Sequence, residues 1–393
     1  MKKKDNYTMN FAMMYLVHYT SFALISSQRQ SFLNHVGYNL NQRSYIFAII
    51  PIVTISMQMI AGYFSDRYRT VKKIMLPLIL FSAITSYFFY SIQVQFYIFH
   101  FAIALLSQSF VIAITDLSDV WVLASEGPYK NNYGFIRAFG SAGWSIGSFL
   151  LARIVFAFGY QGLAMSILLL SIIILVIMIA ITDDKALKAT SEVKEAINIK
   201  DIIELFKDKD YLIAISMLLF VNFAVNLTGF VVVEKILELG GNEFVISNRG
   251  MIAAGVEVPL MLIGDRIYKR IGALNMAIIG ISMHTLQFFG YFFATSNNAI
   301  LFITIGQVIS VPLYQVSIKY LLLKMSPEKL KTTGQMTGPA IVNGLTGIIY
   351  PLVAAAVITR FNVSTPFIIS ILCGFAGISI GLYLKVRMKG ELV

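Results

Sequence analysis

The chain has 393 residues, of which 57% are hydrophobic and 13% are charged, and its formal net charge at pH 7 is +11. A helix crosses a hydrocarbon core of roughly 30 Å with about 20 apolar residues, and stretches of that kind recur along the whole chain. The alternating segments of about ten residues that build an outer-membrane barrel do not appear. A single cysteine, Cys373, excludes an intramolecular disulfide and a thiolate metal cluster. We therefore expect an all-α membrane protein without a metal site.

The basic residues concentrate on one side of the predicted membrane. About 23 of the 31 Lys and Arg fall in the tails and alternate loops, and about four, including Arg43 and Arg360, fall on the other side. This asymmetry follows the positive-inside rule and places both termini in the cytoplasm. Orientation and contact with anionic lipid account for the net charge, so we expect no nucleic-acid partner. Met1 and three lysines lead directly into an apolar run, which indicates a first span rather than a cleavable signal.

Hydropathy predicts twelve membrane-spanning helices. They lie near residues 8–34, 44–64, 74–93, 96–122, 134–158, 162–182, 211–232, 246–266, 272–294, 297–323, 335–359 and 364–385. The one long connection is rich in both signs of charge and contains Ile199–Phe206, a pattern typical of an amphipathic helix at the membrane surface. We expect an N-terminal six-helix bundle over residues 1–182, a cytoplasmic linker over 183–210 and a C-terminal six-helix bundle over 211–393.

Span one carries a polar stretch that includes Gln28 and Arg29. If Arg29 points inward, it adds a cation to a solute cavity and favours an anionic or highly hydroxylated substrate. If it lies near the outer surface, it snorkels to the interface. Both readings stay open, and we count both residues as candidates for substrate binding.

The loop after span two reads Gly62-Tyr-Phe-Ser-Asp66-Arg67-Tyr-Arg69-Thr-Val-Lys72-Lys73, and Asp265-Arg266 stands at the equivalent place after span eight. Gly62 permits close helix approach, and Asp66 can sit against a positive helix N-terminus while the cations clamp it. Gly62, Asp66, Arg67, Asp265 and Arg266 are therefore candidates for a latch that breaks and reforms. The alternative is an ordinary positive-inside loop.

This loop resembles the signature loop of the major facilitator superfamily, Gly-x-x-x-Asp-Arg/Lys-x-Gly followed by basic residues. Arg69 stands where the second glycine of the signature is expected. With the second copy half a chain later, the resemblance implies the major facilitator fold, twelve transmembrane helices in two six-helix bundles. It implies a secondary active transporter that works by alternating access, and not an enzyme.

Spans four and five carry Asp119, Arg137 and Trp144. An arginine in a membrane span indicates a functional site, and Asp and Arg on adjacent helices offset each other's desolvation while offering donors and acceptors to hydroxyl groups. Trp144 lies about 15 Å into its span at 1.5 Å per residue, too deep for an interfacial belt. Alternatively Arg137 snorkels, Asp119 is its structural partner and Trp144 fills space between helices. Asp116 either joins the cluster or faces water.

This segment resembles helix five of the lactose permease branch, which includes oligosaccharide–proton and nucleoside–proton symporters. The resemblance assigns Arg137, the aromatic Trp144 seven residues later and Asp119 to substrate binding. It assigns proton coupling to places on helices nine and ten that hold Gln287, Gln307 and Ser310 here, so the usual coupling residues are absent.

The C-terminal half offers other polar candidates. Glu257 lies mid-span before Pro259 and is a candidate for proton coupling, together with Asp119, unless it is a neutral hydrogen-bonded residue at a proline kink. Asn226 shares a face with Asn222 and either donates to substrate or bonds a neighbouring helix, and Gln307 is a further substrate candidate.

From these patterns we predict a secondary transporter of a small polar solute, with a sugar or oligosaccharide as first choice and a nucleoside as second. Proton-coupled symport is expected, with a proton gradient as driving force and no cofactor. The alternatives are a proton-antiporting exporter of drugs or sugars, a symporter of a small aromatic or organic acid, and a transporter-like receptor. We expect a monomer in a bacterial-type inner (plasma) membrane, with the small solute and the lipid bilayer as partners.

Overall fold

The computed structural model describes residues 2–68, 70–124, 132–181, 206–326 and 331–388. Within these ranges the regular structure is helical, which confirms the all-α prediction. The thirteen helices are α1 (Lys2–Ser26), α2 (Arg29–His35), α3 (Leu40–Tyr68), α4 (Lys72–Ser91), α5 (Tyr97–Ala124), α6 (Tyr133–Ala180), α7 (Lys209–Glu238), α8 (Glu243–Leu262), α9 (Gly264–Phe293), α10 (Asn297–Thr304), α11 (Gln307–Met325), α12 (Lys331–Arg360) and α13 (Thr365–Arg387). Residues 199–205 of the predicted surface helix, and most of linker 183–210, lie outside the described residues.

Two glycines divide long helices into separate legs. Gly159 interrupts α6 with a φ of 65°, and Gly272 interrupts α9 with a φ of 75°. Both values lie in the left-handed region, which glycine adopts without a Cβ penalty. Helix α6 therefore supplies two successive spans joined at Gly159, as the sequence predicts for spans five and six.

Eight of the described helices are long and apolar enough to cross a membrane, and nine if α10 and α11, bent by 42°, form one span. Helices α1 and α8 are long enough but not apolar enough to be counted, because polar residues such as His18 on α1 and Arg249 on α8 interrupt them. When these two are included and α6 is counted as two legs, the described chain contains twelve helical segments of spanning length. The fold thus agrees with the predicted twelve spans.

The chain forms two compact units, and each is described by itself. Of the described residues, those up to 181 and those from 242 to 255 belong to the first unit, and those from 206 to 241 and from 256 to 388 belong to the second. The beginning of α8 therefore groups with the helices of the first unit, whereas the sequence-based division places all of it in the C-terminal bundle.

In the first unit, α1 lies along the first leg of α6, and two glycines set their separation. A Cβ on Gly143 would collide with the carbonyl of Leu16, and one on Gly147 would lie 2.5 Å from the carbonyl oxygen of Thr20. The Thr20 hydroxyl donates to the Gly143 carbonyl over 3.1 Å. Glycines spaced four apart allow this approach, and the contact fixes the first leg of α6 against the middle of α1.

In the second unit, α7 packs against α12 and α13, and α9 packs against α11 and α13. Their buried apolar side chains form one cluster that includes Met217, Ile281 and Leu321. Gly280 brings α9 against the backbone of Tyr314 on α11. These contacts make a second helical core, which holds the polar residues of α7 and α12 described below.

Candidate functional site

Asp119 lies near the end of α5, where two tyrosines hold its carboxylate. The Tyr15 hydroxyl on α1 donates to Asp119 Oδ1 over 2.6 Å, and the Tyr133 hydroxyl on α6 also hydrogen-bonds this carboxylate. A half-buried carboxylate in a membrane span needs such donors because burial of an unpaired charge is costly. Three helices of the first unit therefore meet at Asp119.

Arg137 lies one turn into α6 and stacks on an aromatic ring. Its guanidinium carbon is 4.7 Å from the centre of the Tyr19 ring, and Tyr19 stacks in turn on Tyr15 with the ring centres 5.9 Å apart. A Cβ on Gly140 would lie 3.0 Å from the Tyr19 ring and 3.1 Å from an Arg137 nitrogen, so Gly140 makes room for this pair. Arg137 is thus held by a cation–π contact inside the unit.

Asp119 and Arg137 belong to the same cluster, but they form no direct ion pair among the described residues. Both lie close enough to Tyr19 to interact with it electrostatically. The tyrosines therefore separate the two charges, and each charge keeps hydrogen-bonding capacity for another partner. The expected Asp–Arg arrangement is replaced by one in which tyrosines contact both.

Trp144 lies two turns beyond Arg137 on α6. Its ring meets that of Phe22 edge-on, with centres 4.9 Å apart and planes at 83°, and it packs beside the buried core of α1, α5 and α6. The ring is only half-buried. Trp144 therefore fills space between helices, which is one of the sequence-based alternatives, while part of its ring surface stays accessible.

Sequence reasoning missed several members of this cluster, which are Tyr15, Tyr19, Tyr133 and His18. His18 is buried on α1, with Nε2 at 2.9 Å from the Thr115 hydroxyl of α5 and its ring edge-on to Tyr19. The i,i+4 spacing of Tyr15 and Tyr19 was the available signal, because it puts both on one face of α1. Next to Thr115, Asp116 accepts a hydrogen bond from Gln58 of α3 and lies close enough to Tyr19 to interact with it electrostatically.

Gln28 and Arg29 do not join this cluster. Arg29 is 2% exposed, donates to the Ile25 carbonyl over 3.4 Å and lies 5.8 Å from the centre of the Phe89 ring. Gln28 is fully buried and donates to the carbonyl of Glu243 over 3.2 Å. Arg29 is therefore enclosed by the helices of the first unit, which excludes the snorkelling position, and its role in substrate binding stays a prediction.

In the second unit, Asn226 belongs to a network of amides between α7 and α12. Its amide nitrogen donates to the Asn222 oxygen, the Asn222 nitrogen donates to Asn343 over 2.6 Å, and the Thr346 hydroxyl donates to the same Asn222 oxygen over 3.1 Å. The bonds from Asn343 and Thr346 join α12 to α7. This agrees with the sequence-based alternative in which the asparagines bond a neighbouring helix. Asn226 also remains half-buried.

Glu257 and Gln307 are both half-buried residues of the second unit. Glu257 lies in the C-terminal half of α8, and Gln307 begins α11. At the places the lactose permease branch uses for coupling, Gln287 on α9 donates to the Ile303 carbonyl over 3.0 Å and accepts from Ser310 over 2.8 Å. The amide and hydroxyl thus satisfy each other, and neither carries a titratable proton.

The latch prediction is only partly covered by the described side chains. Arg67 is exposed, donates to the Tyr63 hydroxyl over 3.0 Å and lies over two tyrosine rings. The side chains of Asp66 and Asp265 lie outside the described part of the chain, and Arg266 is exposed. A Cβ on Gly62 would meet nothing within 4 Å. The latch therefore stays a prediction.

Groups of three or more His, Cys, Asp or Glu suited to a metal ion are not found among the described residues. The first unit instead contains a polar and aromatic cluster inside a bundle of apolar helices. Such a cluster is typical of a membrane transporter that binds a small solute within its helices.

Comparison with known proteins identifies the family. The MFS_1 like family matches residues 8–369, so the chain belongs to this family of major facilitator transporters. The maltose permease of Geobacillus stearothermophilus is 24% identical over 349 residues, which cover 88% of this chain and 86% of the permease. The protein is therefore a multi-pass membrane transporter of small molecules, and the expectation that it is not an enzyme is confirmed.

Solved structures confirm the major facilitator fold. A crystal structure of the nucleoside transporter NupG has a TM-score of 0.76 at 14% identity and covers 98% of this chain and 100% of that one. A crystal structure of a D-xylose-proton symporter has a TM-score of 0.72 at 15% identity and covers 96% of each chain. At these identities the likeness establishes the fold alone.

Proposed function

We propose that the protein is a proton-driven symporter of a sugar or oligosaccharide, with the solute bound at the Asp119–Arg137 cluster. The arrangement of these two charges around Tyr19 supports the proposal. A guanidinium offers several N–H donors in a fixed fork and a carboxylate offers acceptors. Because the two are not consumed by an ion pair, hydroxyl groups of a solute can bond both.

Aromatic surface next to these charges suits a ring-shaped solute. Trp144 is half-buried two turns from Arg137, and Phe22 fixes its edge. A flat apolar ring packs against the C–H face of a pyranose. The polar groups would then fix the orientation of the solute and the aromatic surface would bind its face.

The names of the similar proteins agree with this class of solute, because they include a maltose permease and a D-xylose-proton symporter. A nucleoside is the second candidate, since Trp144 would also stack on a base and one similar structure is a nucleoside transporter. A small aromatic or organic acid is the third candidate. Because Arg137 forms no ion pair among the described residues, its positive charge favours a solute with a carboxylate over an uncharged drug.

We place the protein in a bacterial-type plasma membrane with both termini in the cytoplasm, and we expect it to act as a monomer without a nucleic-acid partner. The distribution of Lys and Arg supports the orientation. Glu257 and Asp119 are the candidates for proton coupling, and alternating access is the expected mode of transport.

The test is entrance counterflow in liposomes that contain the purified protein, with labelled maltose, xylose, uridine and phenylpropionate as separate probes. We expect exchange of maltose or xylose and, with an inward proton gradient, accumulation of the same sugar. Exchange of uridine or phenylpropionate alone would replace the sugar with that class. Accumulation driven by an outward gradient would identify an exporter, and binding without exchange would identify a receptor.

A further inference from the structure

A cavity of about 390 Å³ lies at one end of the first unit. Four places in the chain contribute to its lining. His35 ends α2, Gln93 follows α4, Gly159 is the bend within α6, and Asn242 directly precedes α8. Ligand pockets in proteins have volumes of about 300–1,000 Å³. The cavity is therefore large enough to hold a small solute.

This cavity is separate from the Asp119–Arg137 cluster. Both use the first leg of α6, but Phe156 of the cavity stands twelve residues after Trp144. At 1.5 Å per residue, this separation is about 18 Å along the helix. The four contributing places all belong to connections that face outward in the orientation proposed above. In that orientation the cavity lies at the outer end of the unit.

Two pairs of aromatic rings line the cavity. The Tyr160 ring is buried edge-on against Phe32, with the ring centres 4.8 Å apart, and the His35 ring lies 5.1 Å from it. The Phe156 ring meets Phe244 of α8 with the centres 5.6 Å apart and the planes at 67°. These contacts hold the rings in place. A flat apolar ring of this kind packs against the C–H face of a pyranose.

Three polar side chains of the lining keep unused hydrogen-bonding groups. His35 and Gln93 are exposed, and their side chains form no hydrogen bond among the described residues. Asn242 accepts from the Phe244 backbone N–H over 3.1 Å through Oδ1, which leaves the two N–H donors of its amide for another partner. Carboxamides and a neutral imidazole offer both donors and acceptors. This combination suits the hydroxyl groups of a sugar, which also donate and accept.

The lining offers no cation to an anionic solute. Its described residues include neither lysine nor arginine, and Glu243 is its one acidic residue. Arg153 of α6 lies 6.0 Å from the centre of the Phe244 ring. However, its guanidinium carbon is 3.5 Å from the centre of the Phe149 ring, and it donates to the Phe149 carbonyl over 2.6 Å. Aromatic faces and neutral hydrogen-bonding groups are therefore what the cavity presents.

We propose that this cavity is a second solute site, which binds a neutral sugar ring at the outer end of the first unit. The sugar ring lies against the Phe156–Phe244 pair, and its hydroxyl groups bond His35, Gln93 and Asn242. The outer location rests on the orientation proposed above, and a role in transport rests on the proposed symport. The binding of a sugar ring rests on the cavity alone.

The first experiment tests the cavity by cysteine protection. Cys373→Ala removes the one native cysteine, and Gln93→Cys then places a thiol in the lining. The full-length protein, in lipid nanodiscs made without a sugar-based detergent, reacts with a membrane-impermeant maleimide in the presence of maltose or D-xylose. At about ten times the Kd of the sugar, the reaction should slow by about tenfold, because about one site in eleven is empty.

The matched control for this reaction is Asn34→Cys. Asn34 is also exposed and stands beside His35 in the chain, but it does not line the cavity. Its reaction rate should not change with either sugar. If neither sugar slows the reaction at Gln93→Cys, or if both positions slow equally, the cavity is not a sugar site.

The second experiment uses the sugar concentration that halves the reaction rate at Gln93→Cys. Phe156→Ala should raise this concentration by about two- to tenfold, as expected for the loss of one aromatic contact. Phe158→Ala should leave it unchanged, because Phe158 is 72% exposed, like Phe156 at 80%, but does not line the cavity. Equal effects of the two variants would contradict the proposed contact with the sugar.

The proposal can fail independently of the transport assignment. Arg137→Ala should leave the protection of Gln93→Cys in place, and loss of protection in this variant would place the bound sugar in the cluster instead. Protection that persists when no sugar shows counterflow overturns only the transport assignment. In intact cells, maleimide added outside should label Gln93→Cys, and labelling that requires permeabilised cells would overturn the outer location.

Discussion

Arg137 on α6 lies over the face of Tyr19 on α1, with its guanidinium carbon 4.7 Å from the ring centre. The contact orients a cation within the helices without neutralising it. Tyr19 stacks on Tyr15, which in turn bonds Asp119. A single row of side chains therefore connects the two opposite charges of the proposed solute site.

Replacing Arg137 with alanine should weaken solute binding by about ten- to hundredfold, because hydrogen bonds to a charged group contribute about 1.5–3 kcal/mol. Arg137→Lys should retain only part of the solute binding, since lysine lacks the planar guanidinium with its fork of N–H donors. Binding is measured on purified protein by calorimetry with the sugar that shows counterflow. The control is Arg153→Ala, which removes another half-buried arginine of α6 outside the cluster. Equal losses in the two variants would show that the effect is not local to the site.

Loss of the Tyr15 hydroxyl should destabilise the protein through Asp119. Tyr15→Phe removes the donor at 2.6 Å, and leaving the half-buried carboxylate short of a donor costs about 1–3 kcal/mol. The thermal unfolding midpoint should therefore fall in Tyr15→Phe but not in Tyr45→Phe, because the Tyr45 side chain is 58% exposed. In a double-mutant cycle with Asp119→Ala, which removes the acceptor, the effect of Tyr15→Phe should largely disappear. Additive effects would mean that the bond contributes nothing to stability.

The sequence predicted Arg137, Trp144 and Asp119 because such residues are rare inside apolar spans. It did not predict the tyrosines that arrange them, since the chain has 20 Tyr and a tyrosine in a span has no distinctive signal. The position of Arg29 was not predictable either, because it depends on the break between α1 and α2, which encloses the side chain in the helices. Whether a cation near a span end is enclosed depends on its neighbours in space, which a single span does not specify.

Close contact between α1 and α6 should depend on Gly143. A Cβ there would collide with the backbone of Leu16, and the helix backbone cannot move as a side chain can. Gly143→Ala should therefore lower the unfolding midpoint and the yield of folded protein, with a cost of about 1–3 kcal/mol as for overpacking in a core. Gly229→Ala is the control, because a Cβ at Gly229 meets nothing within 4 Å and alanine favours the helix by up to ~1 kcal/mol. If Gly143→Ala left the unfolding midpoint and the yield unchanged, α1 and α6 could move apart without loss of stability.

Glu257 is the remaining carboxylate proposed for proton coupling, and its role can be separated from solute binding. Glu257→Gln keeps the size of the side chain and resembles the protonated carboxyl, with both a donor and an acceptor, but it cannot titrate. In liposomes we expect counterflow close to that of the wild type, together with loss of uphill accumulation under a proton gradient. Asp119→Asn should instead impair both, because Asp119 also belongs to the solute cluster. If Glu257→Gln still accumulates solute, the coupling proton binds elsewhere, and Asp119 is then the next candidate.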